Sequence, residues 1–171
     1  MARGWGWSAG VLAMALVCGA APPPARAQDA GLKPIPGGEC QKFADLTKDA
    51  AGFAMTAGED DFTDLADGSD GRSCHISGSA ADQTYADPAA LMAKIEKVFA
   101  DWKNDPARAA GGPDGAEAGL TSGDRLATIQ VSWEPGPGIS CSDKEPLSAC
   151  HMLPQQKLWN VVVDIVVKGG K

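Results

Sequence analysis

Both histidines of the chain directly follow cysteines, as Cys74-His75 and Cys150-His151. Cysteine and histidine side chains bind zinc, copper and haem, and each of these sites has a characteristic spacing. Covalent haem attachment uses Cys-x-x-Cys-His, and zinc sites usually pair cysteines that are separated by about two to four residues. Eight residues separate Cys141 from Cys150, so the sequence fits neither pattern.

Two other metal hypotheses stay open. His151 and Met152 place an imidazole beside a thioether, and both are ligands that suit Cu(I). Asp64, Asp67 and Asp70 belong to an acidic segment whose carboxylates are suitable Ca²⁺ ligands. An EF-hand loop does not fit this segment, because glycine stands where the loop needs its bidentate glutamate. We therefore assign no metal ligand and keep calcium and copper binding as alternatives.

A small hydrolase is a further alternative, with Ser77, His75 and Asp164 as its polar set. However, the chain contains no Gly-x-Ser-x-Gly nucleophile motif. A Cys–His enzyme outside the cytosol would have to leave a cysteine unpaired. The glycine-rich stretch GGPDGAEAG lacks the Lys-Ser/Thr pair that meets phosphate. The sequence therefore assigns no catalytic residue and no cofactor.

Composition excludes several classes of protein. The chain has 171 residues, a net charge of −7 and 44% hydrophobic residues. Nucleic-acid binders need a basic surface, which this charge argues against. The hydrophobic content is too high for a disordered chain. No apolar run reaches the roughly 18 residues that span a bilayer, so we expect no transmembrane anchor.

Residues 1–27 have the features of a secretory signal peptide: Arg3, an apolar stretch, a proline break and Ala-Arg-Ala before Gln28. This leader contains two arginines and no acidic residue, so the chain from Gln28 has 13 basic and 22 acidic residues and a net charge of −9. We expect cleavage before Gln28 and a periplasmic or secreted protein.

The remaining four cysteines form an even set once Cys18 leaves with the leader. In an exported chain an even count predicts two disulfides. Cys40 lies at the start of the first predicted helix and Cys74 lies on the first predicted strand, so we expect these two to pair. Cys141 and Cys150 then close a short loop.

Apolar periodicity predicts five regular elements in this chain. Helices are expected from Glu39 to Ala57 and from the Asp87-Pro88 cap to about Asn104, and strands at residues 73–80, 126–134 and 158–168. The acidic segment 58–71 and the long connections 105–124 and 135–156 are expected to be loops.

These elements predict an α+β fold in the order α-β-α-β-β. Two amphipathic helices would pack on one face of a small, mainly antiparallel three-stranded sheet, which two disulfides would staple. The domain is expected to cover residues 39–168, after a flexible lead-in (28–38) and before a short tail (169–171).

The face of this sheet opposite the helices is the strongest candidate for binding. Alternation along the strands places polar side chains there, together with two valines. If the long connections do not fold over it, this face offers a polar-rimmed platform to a partner. The leading hypothesis is a non-enzymatic exported domain that binds a protein or small-molecule partner in the cell envelope. Its candidate contact residues are His75, Gln130, Glu134, Asn160, Val162, Asp164 and Val166.

Overall fold

The computed structural model describes residues 31–169, except Asp143, Glu145 and His151. The predicted signal peptide and the predicted copper ligand His151 lie outside the described residues. The helices are α1 (Gly37–Ala51) and α2 (Pro88–Ile95), and a 3-10 turn (Glu96–Phe99) continues α2. The strands are β1 (Lys33–Pro34), β2 (Thr56–Asp64), β3 (Ser69–Ala80), β4 (Lys103–Gly111), β5 (Gly115–Ser122), β6 (Arg125–Pro135) and β7 (Lys157–Val167).

The seven strands of this part of the chain form one antiparallel sheet. Six of them follow the order β2-β3-β7-β6-β5-β4, and β1 pairs with the end of β7. The prediction of a three-stranded sheet with the order α-β-α-β-β was therefore wrong. The three strands that the sequence predicted are β3, β7 and β6, which are neighbours at the centre of the sheet. The strands that it missed form the two edges and the short β1, which lies in the stretch expected to be a flexible lead-in.

β2 occupies most of the acidic segment that the composition suggested to be a loop. It lies at an edge of the sheet and pairs only with β3, so the carboxylates of residues 59–61 stay in solvent, whereas Asp64 at the end of the strand is buried. Arg72 on β3 lies 3.7 Å from Glu59 and 3.5 Å from Asp61, which reduces the repulsion between them. Charge is compatible with a strand at an edge, so the acidic composition was not evidence against one.

β4 and β5 account for most of residues 105–124, which we expected to form a connection. Glycine, proline and alanine are poor strand formers, so propensity gave no signal here. Pro106 is tolerated because β4 is the second edge strand and one side of it needs no hydrogen-bond donor. In β5, Ala118 and Leu120 are buried at alternate positions, a pattern that is too short and weak to stand out in the sequence.

α1 ends at Ala51 instead of continuing to Ala57. Gly52 adopts a left-handed conformation with φ of 73°, and its N–H donates to the Lys48 carbonyl at 2.8 Å. This geometry is a common helix C-cap that glycine adopts without steric cost. The residues after it are therefore free to enter β2.

α2 begins at its predicted cap, where the Asp87 carboxylate accepts a hydrogen bond from the Ala90 N–H at 2.8 Å. Pro88 fits the first turn because that turn needs no N–H donor. The regular helix ends at Ile95 and the 3-10 turn at Phe99, earlier than the expected end near Asn104, because Lys103 already pairs in β4.

The main hydrophobic core lies between the helices and one face of the sheet. The ring centroids of Phe43 on α1 and Phe99 after α2 stack 5.2 Å apart above it. Each large apolar side chain that is buried contributes roughly 1.5–3 kcal/mol. Alternation predicted the inward positions of the central strands, and Gly78, Ala80 and Val167 at the strand ends are only half-buried. The other inward positions are buried: Cys74, Ile76, Ala127, Ile129, Val131, Trp133, Trp159, Val161, Val163 and Ile165.

Both predicted disulfides are confirmed. Cys40 in α1 is bonded to Cys74 in β3 and ties the helical layer to the sheet. Cys141 is bonded to Cys150 within the long β6–β7 connection. No helix within residues 31–169 is long and apolar enough to cross a membrane.

Candidate functional site

Cross-strand pairing fixes a row of residues on the outer face, the sheet face opposite the helices. His75 on β3 lies beside Asp164 on β7, which lies beside Thr128 on β6, which lies beside Gly119 on β5. Directly opposed residues on neighbouring strands place their side chains on the same face, about 5 Å apart. The sequence placed His75 and Asp164 on one face, and the register makes them direct neighbours.

The imidazole of His75 is held by the buried Asp164 carboxylate. Nδ1 of His75 lies 2.9 Å from Oδ1 of Asp164, and the Ser73 hydroxyl donates to the same oxygen at 2.7 Å. An ionised carboxylate can only accept hydrogen bonds, so Nδ1 carries a proton and Nε2 is left as an acceptor when the imidazole is neutral. The hydroxyl next to Asp164 is therefore Ser73, not the predicted Ser77, and it contacts the carboxylate instead of the imidazole.

An ion cluster joins the two edges of the sheet. Five strand spacings separate β2 from β4, which would be about 24 Å in a flat sheet. Yet Nη2 of Arg108 on β4 lies 2.6 Å from Oδ2 of Asp64 at the end of β2. Asp64 is only 2% exposed. The sheet is therefore strongly curled, and its edges meet over the outer face.

Further charged groups surround this contact. Arg108 also pairs with Asp105 and, at 3.3 Å, with Asp67. Lys168 lies after β7, with its Nζ 3.4 Å from Asp64 and 3.2 Å from Asp67. The cluster thus contains three carboxylates and two cations. It links the end of β2, the β2–β3 turn, β4 and the residue after β7.

The backbone of β4 places Arg108 at this point. The pairing of β4 with β5 shifts between Asp105 and Ala110, so the residues between them form a bulge. A Cβ atom on Gly119 would lie 2.5 Å from the Cβ of Arg108. Glycine at this position therefore allows the arginine stem to lie flat on β5 and its guanidinium to reach β2.

The cluster shifts the pKa of its carboxylates. Burial alone raises the pKa of Asp64, but hydrogen bonds from Arg108 and the Ala66 amide, together with the charge of Arg108, hold it below its ordinary value. The pKa of Asp67 is also held well below its ordinary value, by hydrogen bonds from the Ser69 side chain and amide and by Lys168. In the folded protein both groups therefore stay ionised into acid.

We expect the protein to lose stability as the pH falls below about 5, because the unfolded state then takes up protons at these positions before the folded state does. Above the unfolded-state pKa the full stabilisation is present, and it is lost as the pH approaches the lower folded-state pKa. Urea unfolding between about pH 6 and pH 3 measures this loss. Asp67→Asn should give a shallower pH dependence than the wild type, because it removes one of the two carboxylates whose pKa is lowered in the folded protein. An unchanged slope in Asp67→Asn would contradict this assignment.

A groove runs along the outer face beside the cluster. Its deeper half, about 210 Å³, lies between the β2–β3 hairpin (residues 62–66) and the β4 bulge (107–110), with Glu117, Thr128 and Gln130 beneath. Its shallower half, about 300 Å³, continues along β5 past Gly115 to Ser132. The two halves share Ala110, Glu117 and Gln130, and we call the whole the outer groove.

The predicted contact residues divide between the outer groove and its surroundings. Gln130 lines the groove directly, and Asp164 and His75 continue the row of Thr128 on its floor. Val162 is half-buried beside Gln130.

The other three predicted contact residues lie apart from the groove. Asn160 accepts a hydrogen bond from Ser79 at 2.5 Å. Glu134 is exposed near the far end of β6. Val166 is fully buried in a small second core with Leu32, Leu126 and Phe62, so its side chain is not available to a partner.

The carboxylates proposed for calcium are already engaged. Asp64 and Asp67 pair with Arg108 and Lys168, and Asp70 accepts a hydrogen bond from Thr63 at 2.7 Å. No group of three or more metal-ligating side chains is found among the described residues. Met152, the second copper candidate, is half-buried against the main core.

The sequence missed Arg108 and Glu117, which both belong to the connection that proved to be β4 and β5. Their neighbours are small residues without a clear period. The segment from Asp105 to Arg108 held one signal, because charged side chains and a proline are typical of edge strands.

Comparison of the chain with protein-family models, curated protein sequences and solved structures found no match. The site is therefore interpreted from its own geometry and charge.

Proposed function

We propose that this protein is an exported, non-enzymatic domain that binds a small ligand in the outer groove. The groove itself carries the proposal: two continuous cavities of about 210 and 300 Å³ share a floor of polar side chains on a rigid sheet. Ligand sites are typically concave, with apolar walls and a few convergent polar groups. The disulfides are consistent with an oxidising compartment and support a periplasmic or secreted location.

The strands on either side of the groove form two walls, and this shape supports a binding function. The sequence left open whether the two long connections fold over the outer face, and the first of them does not cover it as a loop. Residues 105–124 form an edge of the sheet, and β4 becomes a wall of the groove instead of a cover. The opposite wall is the β2–β3 hairpin, and the Asp64–Arg108 contact holds the walls at a fixed distance.

Filling the groove tests this proposal. Ala110 is exposed and lines both halves, so we expect Ala110→Trp to fold normally and to close the centre of the groove. Small molecules from a fragment library should shift the backbone amide signals of Glu117 and Gln130 in the wild type and fail to do so in Ala110→Trp. Ala93→Trp, on the exposed side of α2, is the matched control and should bind as the wild type does. Fragments that bind only at the helical layer would contradict the proposal.

A second candidate function is a small hydrolase that uses His75 as a general base. The 2.9 Å contact between His75 and Asp164 favours it, because a carboxylate behind an imidazole orients it for proton transfer. A panel of chromogenic esters tests this candidate. Hydrolysis that disappears in His75→Gln would support it, and hydrolysis that persists in that variant would remove it.

A further inference from the structure

We propose that the outer groove selects linear ligands that carry an alkylammonium group, which Glu117 binds. This inference rests on the proposed ligand-binding function and adds the chemical class of the ligand. Glu117 lies where the two halves of the groove meet, between Ala110 on β4 and Gln130 on β6. A cation held there would leave room for an extended chain on either side.

The charges that line the groove favour a cation over an anion. Among the described residues that line it, Arg108 is the only basic one. Its guanidinium is fully committed to Asp64, Asp105 and Asp67. The neighbouring cluster has one more carboxylate than cations. The groove therefore offers an anionic ligand no free positive charge.

Glu117 is the free charge of the groove. None of the salt bridges among the described residues involves it. An ammonium group has three donors and no acceptor, so it needs several acceptors at one point. The Glu117 carboxylate and the amide oxygen of its cross-strand neighbour Gln130 are acceptors of this kind. The Thr128 hydroxyl lies on the same face of β6, two residues before Gln130.

The walls of the deeper half suit an alkyl chain. They consist largely of small or apolar side chains, which bury methylene groups without competing for the ammonium group. Phe62 and Leu65 come from the hairpin, and Ala107 and Ala109 come from the bulge of β4. The net charge of −7 over the whole chain adds long-range attraction for a cation.

Three five-carbon probes of equal length test the proposal: cadaverine (a diamine), pentanediol and glutarate. We expect cadaverine to shift the amide signals of the groove at concentrations where pentanediol and glutarate do not. The binding should weaken as salt is added, because the attraction is electrostatic. Glu117→Gln should weaken cadaverine binding by roughly tenfold, since the amide still accepts a hydrogen bond but the attraction between two opposite charges is lost. Glu134→Gln removes the same charge from an exposed position outside the groove and should leave the affinity unchanged.

Three results would overturn the proposal. If glutarate or pentanediol binds in the groove as well as cadaverine does, the ammonium assignment fails while ligand binding in the groove stands. If Glu134→Gln weakens cadaverine binding as much as Glu117→Gln does, the binding is a general effect of net charge and the Glu117 site is wrong. If no probe or fragment shifts the groove signals, the proposed function fails as well. A lysine-containing peptide that binds where cadaverine does would identify a side chain as the source of the ammonium group.

Discussion

Replacing Arg108 with methionine is expected to lower the free energy of unfolding by about 3 kcal/mol, because it leaves the Asp64 carboxylate buried without its main partner. Asp64 is 2% exposed and receives three hydrogen-bond contacts from Arg108. Lys168 compensates only in part, since its Nζ is 3.4 Å away and its side chain is 37% exposed. Urea unfolding followed by tryptophan fluorescence measures the loss.

Arg72→Met is the matched control for this experiment. Arg72 is about half exposed and its two salt bridges are 3.5 Å and 3.7 Å long, so we expect its loss to cost less than about 1 kcal/mol. Adding Asp64→Asn to Arg108→Met should restore at least half of the lost stability, because the unpaired buried charge is then removed. If Arg108→Met costs no more than Arg72→Met, the cluster does not hold the edges of the sheet together.

Removing the Cys40–Cys74 disulfide by a double alanine substitution is expected to cost about 4 kcal/mol, and removing Cys141–Cys150 about 3 kcal/mol. The difference follows from loop length, because the first bond joins cysteines that are 34 residues apart in the sequence and the second joins cysteines that are only 9 apart. Cys74 is also fully buried in the main core, so alanine there leaves a small void in addition.

Thermal and urea unfolding of the two double variants, under conditions that keep the remaining disulfide intact, give the order of the two effects. We expect the Cys40/Cys74 variant to melt at the lower temperature and the Cys141/Cys150 variant to keep the core fluorescence of the wild type. A larger loss from the Cys141/Cys150 variant would show that the β6–β7 connection contributes more to stability than its short disulfide-closed loop indicates.

The central part of the fold could be predicted because its signals come from burial. β6 and β7 alternate large apolar residues with polar ones, and those inward side chains are the main core. The cap at Asp87 and Pro88 likewise has a local physical cause that is visible in the sequence. The disulfide pairing followed from the count of cysteines and their places on these elements.

The edges of the sheet could not be predicted because their signals are not local. β2 is a strand because β3 pairs with it and Arg72 offsets its acidic charge, although its composition is typical of a loop. β4 and β5 consist of small residues whose alternation is weak. The sequence therefore indicated a sheet half as wide as the real one.

Non-local signals also limited how much of the candidate site could be predicted from the sequence. His75, Asp164 and Gln130 lie on predicted strands, and the alternation placed them correctly on one face. Arg108 and Glu117 depend on the curl of the sheet and on a bulge opposite Gly119, which only the three-dimensional register reveals. Val166 has the right parity for the outer face but is buried against Leu32 and Leu126 in the second core, which the sequence did not predict.

The acidic side chains of β2 have a consequence for how separate copies of the protein behave. An edge strand presents unpaired N–H and C=O groups on which another chain can add as a further strand. Glu59, Asp60 and Asp61 give each copy the same negative charge along this edge, so two copies repel each other where their backbones would pair. The acidic side chains of β2 therefore disfavour the pairing of separate copies through this edge.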